Sequence, residues 1–166
     1  MALRNIREYG DEVLARRCKE VKEITPRIKE LAQDMIETMY ESDGVGLAAP
    51  QVGVLKRMFV IDVSAEGDSP IVFINPEILA TDGEQTGYEG CLSVPGKSGI
   101  VTRPNYVKVK ATNLEGEEFV MEGEELFARA ILHENDHLDG HMYVEKVEGE
   151  LVDNAELIAQ NEEESE

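Results

Sequence analysis

The sequence predicts a single α+β domain in which short antiparallel β-strands pack around a central helix that carries the motif HENDH. Three observations predict this class. The chain has 166 residues, a length that fits one compact domain with a single core. Two long helical patterns are separated by several short β-rich runs, and these runs lack the regular alternation with helices of a parallel sheet. We expect residues 1–145 to form the folded domain and residues 146–166 an acidic C-terminal helix or tail.

The first predicted helix begins at Thr25-Pro26, which combines a side-chain cap with the residue best tolerated in a first helical turn. Apolar side chains then recur at helical spacing until the pattern stops before Ser42. This apolar stripe consists of Ile28, Leu31, Ala32, Met35, Ile36 and Met39. We interpret it as core-facing, because packing explains methionines at this spacing better than a binding surface does.

Short β-rich runs follow, separated by Gly, Pro, Asn and Asp. The predicted strands are residues 57–63, 71–75, 77–81, 107–112 and 118–122. In the run VKVKAT, residues 107–112, apolar and polar side chains alternate, so we expect one buried and one wet face. The sequence NLEGE between the last two runs predicts an antiparallel hairpin.

A second helix is predicted after Gly123, with Glu124 and Glu125 at the positive end of its dipole. It should stop near Asp139-Gly140. A short amphipathic helix is also predicted around Leu151–Ile158.

Composition and charge exclude several kinds of partner. The chain has 35 acidic and 16 basic residues, and its net charge is -19. Nine of the acids and one lysine follow Tyr143, so this tail carries -8 and the other 143 residues carry -11. Nucleic acid should be repelled by both parts. The N-terminus has no apolar signal region, and no stretch approaches the roughly 18 apolar residues of a membrane span. We therefore expect a cytoplasmic protein with no membrane partner.

The motif HENDH predicts a metal site on the second helix. At about 100° per residue, four side chains fall on one inward stripe: Leu126, Ala130, His133 and His137. Burying two imidazoles without hydrogen-bond partners would cost free energy, and a shared divalent metal would give a ligand bond to a nitrogen of each ring. Glu134 lies close enough to reach a metal-bound water without being a ligand, and Asp136 could support the site from outside. The alternative is an ordinary helix with two satisfied histidines.

Cys91, in the extended stretch YEGCLSVPG, is the candidate third ligand. One thiolate and two imidazoles leave a fourth position open for water, which is typical of a catalytic ion. His141 is the rival third ligand, although Gly140 should end the helix and turn it away. For Cys18 we expect a buried structural role, and the two cysteines form no CxxC pair.

The stretch GVGLAAPQ, residues 44–51, predicts a close approach of backbones. Gly44 and Gly46 allow that approach, Ala48 and Ala49 should keep the path narrow, and Gln51 brings an amide donor. By itself the stretch is a weak signal, because Gly and Ala also occur where elements simply pack.

Taken in order, GVGLAAPQ, EGCLS and HENDH strongly resemble the motifs GxGxAAxQ, EGCxS and HExDH of peptide deformylases, with each fixed position matched. The resemblance extends from the N-terminal helix to about Tyr143. It implies that residues 1–145 are the catalytic domain of a metal-dependent hydrolase. Such an enzyme removes the N-formyl group from the N-terminal formylmethionine of newly synthesised polypeptides and releases formate.

The resemblance also implies the role of each site residue. Cys91, His133 and His137 would hold one divalent ion, most commonly Fe(II), with Zn(II) or Ni(II) as alternatives. Glu134 would take a proton from the attacking metal-bound water and later give one to the leaving amine. Gln51 and the backbone N–H of Leu92 would hold the formyl oxygen, where two fixed donors contribute roughly 3 kcal/mol each.

For the substrate, the resemblance implies a peptide backbone lying along Val45, Gly46 and Gly90 like an added strand. The methionine side chain would enter an apolar pocket near Leu126 and His133. The formyl carbon carries only hydrogen, so a narrow entrance excludes bulkier acyl groups.

The implied partners are N-formylmethionyl nascent peptides, together with transient ribosome contact. The acidic C-terminus differs from the basic C-terminal helix that some family members use to dock on the ribosome, which argues against contact through this tail. Arg129 is interpreted as a salt-bridging or snorkelling side chain. Two rival functions stay open: a metallopeptidase, since HExxH also occurs there, and a metal-stapled binding module in which Cys18 fills the fourth position.

Overall fold

The structure is a computed structural model and describes residues 2–156. Its main helices are α1 (Pro26–Glu41) and α2 (Leu126–Leu138). The strands are β1 (Gly46–Ala48), β2 (Met58–Ile61), β3 (Ile71–Asp82), β4 (Gln85–Cys91), β5 (Val94–Arg103), β6 (Tyr106–Thr112), β7 (Glu118–Glu124) and β8 (Glu148–Asp153). They form a five-stranded sheet in the order β1-β2-β3-β6-β7 and a three-stranded sheet in the order β4-β5-β8. Every pairing between these strands is antiparallel, so the predicted α+β class is confirmed.

Both predicted helices are present close to their expected bounds. The Thr25 hydroxyl accepts a hydrogen bond from the Ile28 N–H at 3.3 Å, which caps α1 as its sequence predicts. The predicted stripe of α1 is buried, apart from the partly buried Ile36. Helix α2 begins at Leu126, because β7 continues through Glu124.

Strand β2 is buried on both faces between the two helices. Its side chains alternate: Phe59 and Ile61 pack in one cluster with α2, while Met58 and Val60 pack in another with α1. This burial explains why residues 58–61 are a continuous apolar run rather than an alternating one. The five-stranded sheet is therefore packed on both of its faces at β2.

The predicted hairpin is confirmed, since β6 and β7 pair in register from Tyr106–Glu124 to Thr112–Glu118. The predicted strands 71–75 and 77–81 are instead one strand, β3, with an irregularity between Ile74 and Glu77. Asn75 has a positive φ of 50° there, and its side chain bonds the backbone of Val21 in both directions at 2.8 Å. In the sequence, the residues of this kink look like the end of a strand, which is why two strands were predicted instead of one.

The predicted helix around Leu151–Ile158 is wrong for its first three residues. They belong to β8, which pairs with β5. Leu151 and Val147 lie against Gly99, where an added Cβ would stand 2.6 Å from the Val147 side chain. Pairing with β5 and the contact at Gly99 decide the conformation, and such a partner strand is invisible to local periodicity. Residues 154–156 are helical, and residues 157–158 lie outside the described part of the chain.

Within residues 2–156, no helix is long and apolar enough to cross a membrane.

A buried carboxylate fastens the end of α1 to the loop after β2. Asp62 is 5% exposed and accepts hydrogen bonds from the Tyr40 hydroxyl and from the backbone N–H groups of Ser64 and Ser69. Burial would raise the pKa of Asp62, but the bonds from Ser64, Tyr40 and Ser69 outweigh it and lower the pKa to about 2. The carboxylate is thus more stable in the folded chain than in the unfolded one.

We expect Asp62→Asn to lower the free energy of unfolding by about 2 kcal/mol at pH 7. The folded-state pKa is depressed below the ordinary 3.8, so this contribution is complete above about pH 4 and is lost as the pH falls towards 2. Urea unfolding of wild type and variant from pH 7 to pH 2.5 should therefore show a difference that shrinks with acid. Glu66→Gln, at an exposed carboxylate of the same loop, is the control and should differ little from wild type. A difference that stays constant with pH would contradict this assignment.

Candidate metal centre

Cys91, His133 and His137 come together as the sequence predicts. Their ligand atoms all lie within 4.8 Å of one another, and the Cys91 Sγ stands 3.4 Å from the His137 Nε2. The two histidines lie one turn apart on α2 and both are buried, with His137 only 1% exposed. Among residues 2–156, this is the one cluster of His, Cys, Asp and Glu found with a geometry suited to a metal ion.

The hairpin between β4 and β5 aims the sulfur at the histidines. Cys91 pairs with Val94 across a two-residue turn. Two donors then point at the Cys91 Sγ from 3.4 Å: the backbone N–H of Ser93 and the side-chain amide of Gln51. The thiolate is the form of cysteine that binds metals, and both donors can hydrogen-bond to it.

The rival ligands do not join this cluster. Cys18 is buried, its N–H donates to the Leu138 carbonyl at 2.8 Å, and burial raises the pKa of its thiol to about 11. His141 is 58% exposed in its side chain, and its Nδ1 lies 3.3 Å from Glu145. The structural role predicted for Cys18 and the outward direction predicted for His141 both agree with the structure.

The Glu89 carboxylate orients the His133 ring by bonding the nitrogen that faces away from the other two ligands. The Nδ1–H of His133 donates to Glu89, which leaves Nε2 directed towards the other two ligands. Arg103 also donates to Glu89 through Nε at 2.8 Å and Nη2 at 2.7 Å, and Arg129 donates through Nη1 at 2.7 Å. Sequence reasoning missed Glu89 and Arg103. Only the letter E of EGCLS could have signalled a buried carboxylate beside the ligands.

Two further expectations concern charged residues of α2. Arg129 is 8% exposed and bonds Glu89, so the salt-bridging interpretation is confirmed and the snorkelling one is wrong. The carboxylate of Asp136 accepts from Arg103 at 3.0 Å and lies outside the ligand cluster. Asp136 therefore supports the site through Arg103, as an outer residue.

The electrostatics of the cluster favour a cation. Burial alone would lower the pKa of His133, but the negative charge of Glu134 and the hydrogen bonds with Cys91 and Glu89 outweigh it and hold this pKa well above its ordinary value. Burial, aided by the positive charges of His133 and Arg103, holds the pKa of His137 well below its ordinary value, so this ring is neutral. The negative charge that favours a proton on His133 would equally favour a metal ion among the three ligands. The donor set therefore fits a divalent metal.

Glu134 lies beside the ligands without belonging to them. Its Oε2 stands 4.0 Å from the His133 Nε2, and its Oε1 is buried with no hydrogen-bond partner among the described residues. Burial raises the pKa of Glu134 to about 7, the positive charge of His133 opposes this, and the charge of Glu89 adds to it. A carboxyl with a pKa near neutrality can both accept and release a proton.

A cleft of about 520 Å³ opens onto the cluster. Its walls include β1 and β4, which are edge strands of the two sheets. The residues predicted to contact substrate or the formyl oxygen all line it: Val45, Gly46, Gln51, Gly90, Leu92 and Leu126. Sequence reasoning missed other lining residues, among them Tyr88, Lys97 and Asn154. These residues carry no motif of their own.

The close approach predicted for Gly44 and Gly46 is present in the cleft. A Cβ added to Gly46 would stand 2.6 Å from the Glu134 Oε2, and one added to Gly44 would stand 2.7 Å from the Leu92 side chain. The prediction that Ala48 and Ala49 narrow the path is wrong, because both are fully buried in the hydrophobic clusters and do not line the cleft. The path is narrowed by the two glycines and their partners.

The C-terminal end of α2 is fixed by the N-terminal part of the chain. The Leu138 carbonyl accepts from the Cys18 N–H at 2.8 Å and from the Arg57 Nη1 at 3.0 Å. A Cβ on Gly140 would stand 2.7 Å from the Ala15 carbonyl oxygen, and Gly140 has a φ of +82°. His137, in the last turn of the helix, is therefore held where helices ordinarily fray.

Comparison with known proteins supports one family. A model described as polypeptide deformylase matches residues 3–151. The peptide deformylase of Lachnoclostridium phytofermentans is 62% identical over 166 residues, which is 100% of each chain. The peptide deformylase of Agathobacter rectalis is 66% identical over 153 residues, covering 92% of this chain and 95% of the relative.

Solved structures give the same result. The crystal structure of peptide deformylase from Thermotoga maritima has a TM-score of 0.84 and 43% identity, and the match covers 89% of this chain and 99% of that one. The peptide deformylase from Ehrlichia chaffeensis in complex with actinonin has a TM-score of 0.86 and 34% identity, with 89% and 90% covered. The similarity therefore includes the fold as well as the motifs.

We expect Cys91→Ser to lose most of its bound metal, because a serine hydroxyl does not replace a thiolate ligand. The control His141→Ala changes an exposed histidine outside the cluster and should retain about one ion per chain, as the three-ligand site predicts. Elemental analysis after anaerobic purification measures both variants and identifies the ion in the wild type. Metal loss from His141→Ala with retention in Cys91→Ser would reverse the ligand assignment.

Proposed function

This chain belongs to the polypeptide deformylase family, whose members remove N-formyl groups from nascent peptides, and we propose which of its residues carry out the hydrolysis. The family is one of metal-dependent hydrolases, so the chain is an enzyme of that kind. One observation carries the proposal: Cys91, His133 and His137 meet beside Glu134 in a cleft between two sheet edges.

Cys91, His133 and His137 hold a single divalent ion. Fe(II) is proposed as the resident metal, with Zn(II) or Ni(II) able to replace it, since a mixed thiolate and imidazole set accepts all three. When bound, the ion supplies Lewis acidity that lowers the pKa of water and polarises the formyl carbonyl. Glu89 keeps the Nδ1 proton of His133, so the Nε2 lone pair serves as the ligand.

Glu134 moves the protons of the reaction. Its buried Oε1 has no partner among the described residues and is free to take a proton from the attacking water. The same carboxyl then gives that proton to the departing amine nitrogen. A pKa of about 7 suits both transfers, because neither protonation state is strongly favoured at neutral pH.

Gln51 and the backbone N–H of Leu92 stabilise the negative charge that develops on the formyl oxygen. The Gln51 side chain is fixed, because its Oε1 accepts from the Ala48 N–H at 2.9 Å and its Nε2 donates to the Ser93 hydroxyl at 3.0 Å. The second Nε2 hydrogen faces the Cys91 Sγ at 3.4 Å, and a formyl oxygen bound beside the sulfur can accept from this donor. Two preset donors of this kind contribute roughly 3 kcal/mol each.

The peptide lies between β1 and β4 as an added strand. Val45, Gly46 and Gly90 offer backbone groups at the two edges, and pairing with main chain is indifferent to sequence. Leu126 and His133 border the pocket for the methionine side chain. The tight contacts at Gly44 and Gly46 leave room for a formyl hydrogen and exclude larger acyl groups.

The proposed substrate also indicates where in the cell the enzyme works. Formylated nascent chains occur in the cytoplasm, where we propose a transient contact with the ribosome. With a net charge of -19, the contact should not be made through ribosomal RNA.

We expect Glu134→Gln to lower kcat by about a hundred- to ten-thousand-fold while the fold and bound metal are kept. The measurement is formate release from formyl-Met-Ala, with elemental analysis of the same preparation. An unformylated Met-Ala-containing peptide, assayed with the wild type, is the substrate control and should stay intact. Cleavage inside that peptide would support the metallopeptidase rival, and unchanged turnover in the variant would contradict the role of Glu134.

We expect Gly46→Ala to lower kcat by roughly a hundred-fold, because the new methyl group would displace the Glu134 carboxylate 2.6 Å away. The loss in kcat should exceed any change in KM, and the metal should be retained. Gly87→Ala is the matched control on β4, since its Cβ would meet the Arg129 side chain at an ordinary 3.8 Å. Equal kcat values for the two variants would show that the contact does not position Glu134.

A further inference from the structure

One wall of the cleft is an irregular part of β5. The pairing of β4 with β5 is regular up to Glu89–Gly99 and resumes at Cys91–Val94. Gly90 therefore faces the extra residues 95–98, which bulge out of the ladder, and Gly96 has a φ of +76°. Residues 94–97 line the cleft.

Strand β8 fixes this bulge from its other side. Lys97 pairs with Asp153 and Ser98 pairs with Val152 in the ladder. The ammonium of Lys97 also forms an ion pair with the Asp153 carboxylate. The wall of the cleft is thus built by the C-terminal strand as well as by the hairpin that carries Cys91.

Asn154, directly after β8, is itself a lining residue of the cleft. It lies beyond residue 151, where the match to the family model ends. The Ser98 hydroxyl donates to its Oδ1 at 2.5 Å, which fixes the side-chain amide. Within residues 2–156, its Nδ2 makes no hydrogen bond, and an amide nitrogen carries two hydrogens that it can donate.

We propose that Asn154 is a specificity-determining residue that donates hydrogen bonds to the main chain of peptide residues following formylmethionine. The inference rests on the proposed function, in which the cleft binds a formylated peptide. The reacting end of the cleft lies at Cys91 and Glu134, whereas Asn154 belongs to the wall around residues 94–98. An extended peptide advances about 3.3 Å per residue, so the residues after formylmethionine are the ones that would extend towards this wall.

Amide donors suit this position. Main-chain carbonyl oxygens of an extended peptide are acceptors whatever the side chains, so such a bond adds affinity without restricting sequence. The effect is a preference for length. An enzyme that acts on nascent chains would gain from it, because its substrates are long.

The experiment compares formyl-Met-Ala with formyl-Met-Ala-Ala-Ala as substrates for Asn154→Asp. This variant keeps the shape and the oxygen that Ser98 bonds but replaces the donor by an acceptor. We expect KM for the longer peptide to rise roughly three- to tenfold, the equivalent of one hydrogen bond, with kcat unchanged. Both constants for formyl-Met-Ala should stay at wild-type values.

Asn154→Ala is the second variant and should raise KM for the longer peptide in the same way, without adding charge. Glu150→Ala shortens an exposed side chain on the same strand that does not line the cleft, and it controls for a general disturbance of β8. Equal effects on short and long peptides would overturn the proposal and assign Asn154 a purely structural role. No effect on either peptide would overturn it as well. Failure of the proposed function would look different, because the wild type would release formate from neither peptide.

Discussion

The buried carboxylate of Glu89 is the group on which the arrangement of the metal centre depends. It accepts four hydrogen bonds, two from Arg103 and one each from Arg129 and His133, which fills the acceptor capacity of a carboxylate. Burial would raise the pKa of Glu89, yet the bonds from His133 and Arg103 hold it far below its usual range. Its charge is permanent at any pH where the enzyme works.

This network also joins three elements of the fold. Glu89 lies on β4, Arg103 on β5, and Arg129 and His133 on α2. Breaking a buried ion pair by removing one partner typically costs about 3 to 5 kcal/mol, because the other charge is left without compensation. The three-stranded sheet and the helix are therefore locked together at the point where the sulfur must meet the imidazoles. The five-stranded sheet contributes separately, through the close approach of Gly46 to Glu134.

The sequence predicted the parts of this structure that depend on local pattern. Helix α1, helix α2, the hairpin of β6 and β7 and the pair His133–His137 follow from spacing within a few residues. Cys91 was a candidate ligand from its extended stretch, but its distance from α2 along the chain carries no geometric information, and the motif EGCLS was needed to assign it. Strands β4 and β5 escaped prediction, since glycines interrupt both runs and the ladders that stabilise them leave no local pattern in the sequence. Arg103 was missed for a similar reason: its partners Glu89 and Asp136 are distant in sequence. At Leu151, a partner on another strand overrode the local helical pattern.

The Leu138 carbonyl accepts hydrogen bonds from Cys18 and Arg57, and these bonds make the metal centre depend on contacts with much earlier segments of the chain. The ligand His137 sits next to a carbonyl that stays unsatisfied until segments more than eighty residues earlier have docked against it. Contacts of such long sequence separation form late in folding, because the loop entropy must be overcome first. The position of His137 therefore depends on the docking of the N-terminal segment, so the geometry of the metal centre is complete only in the fully folded domain.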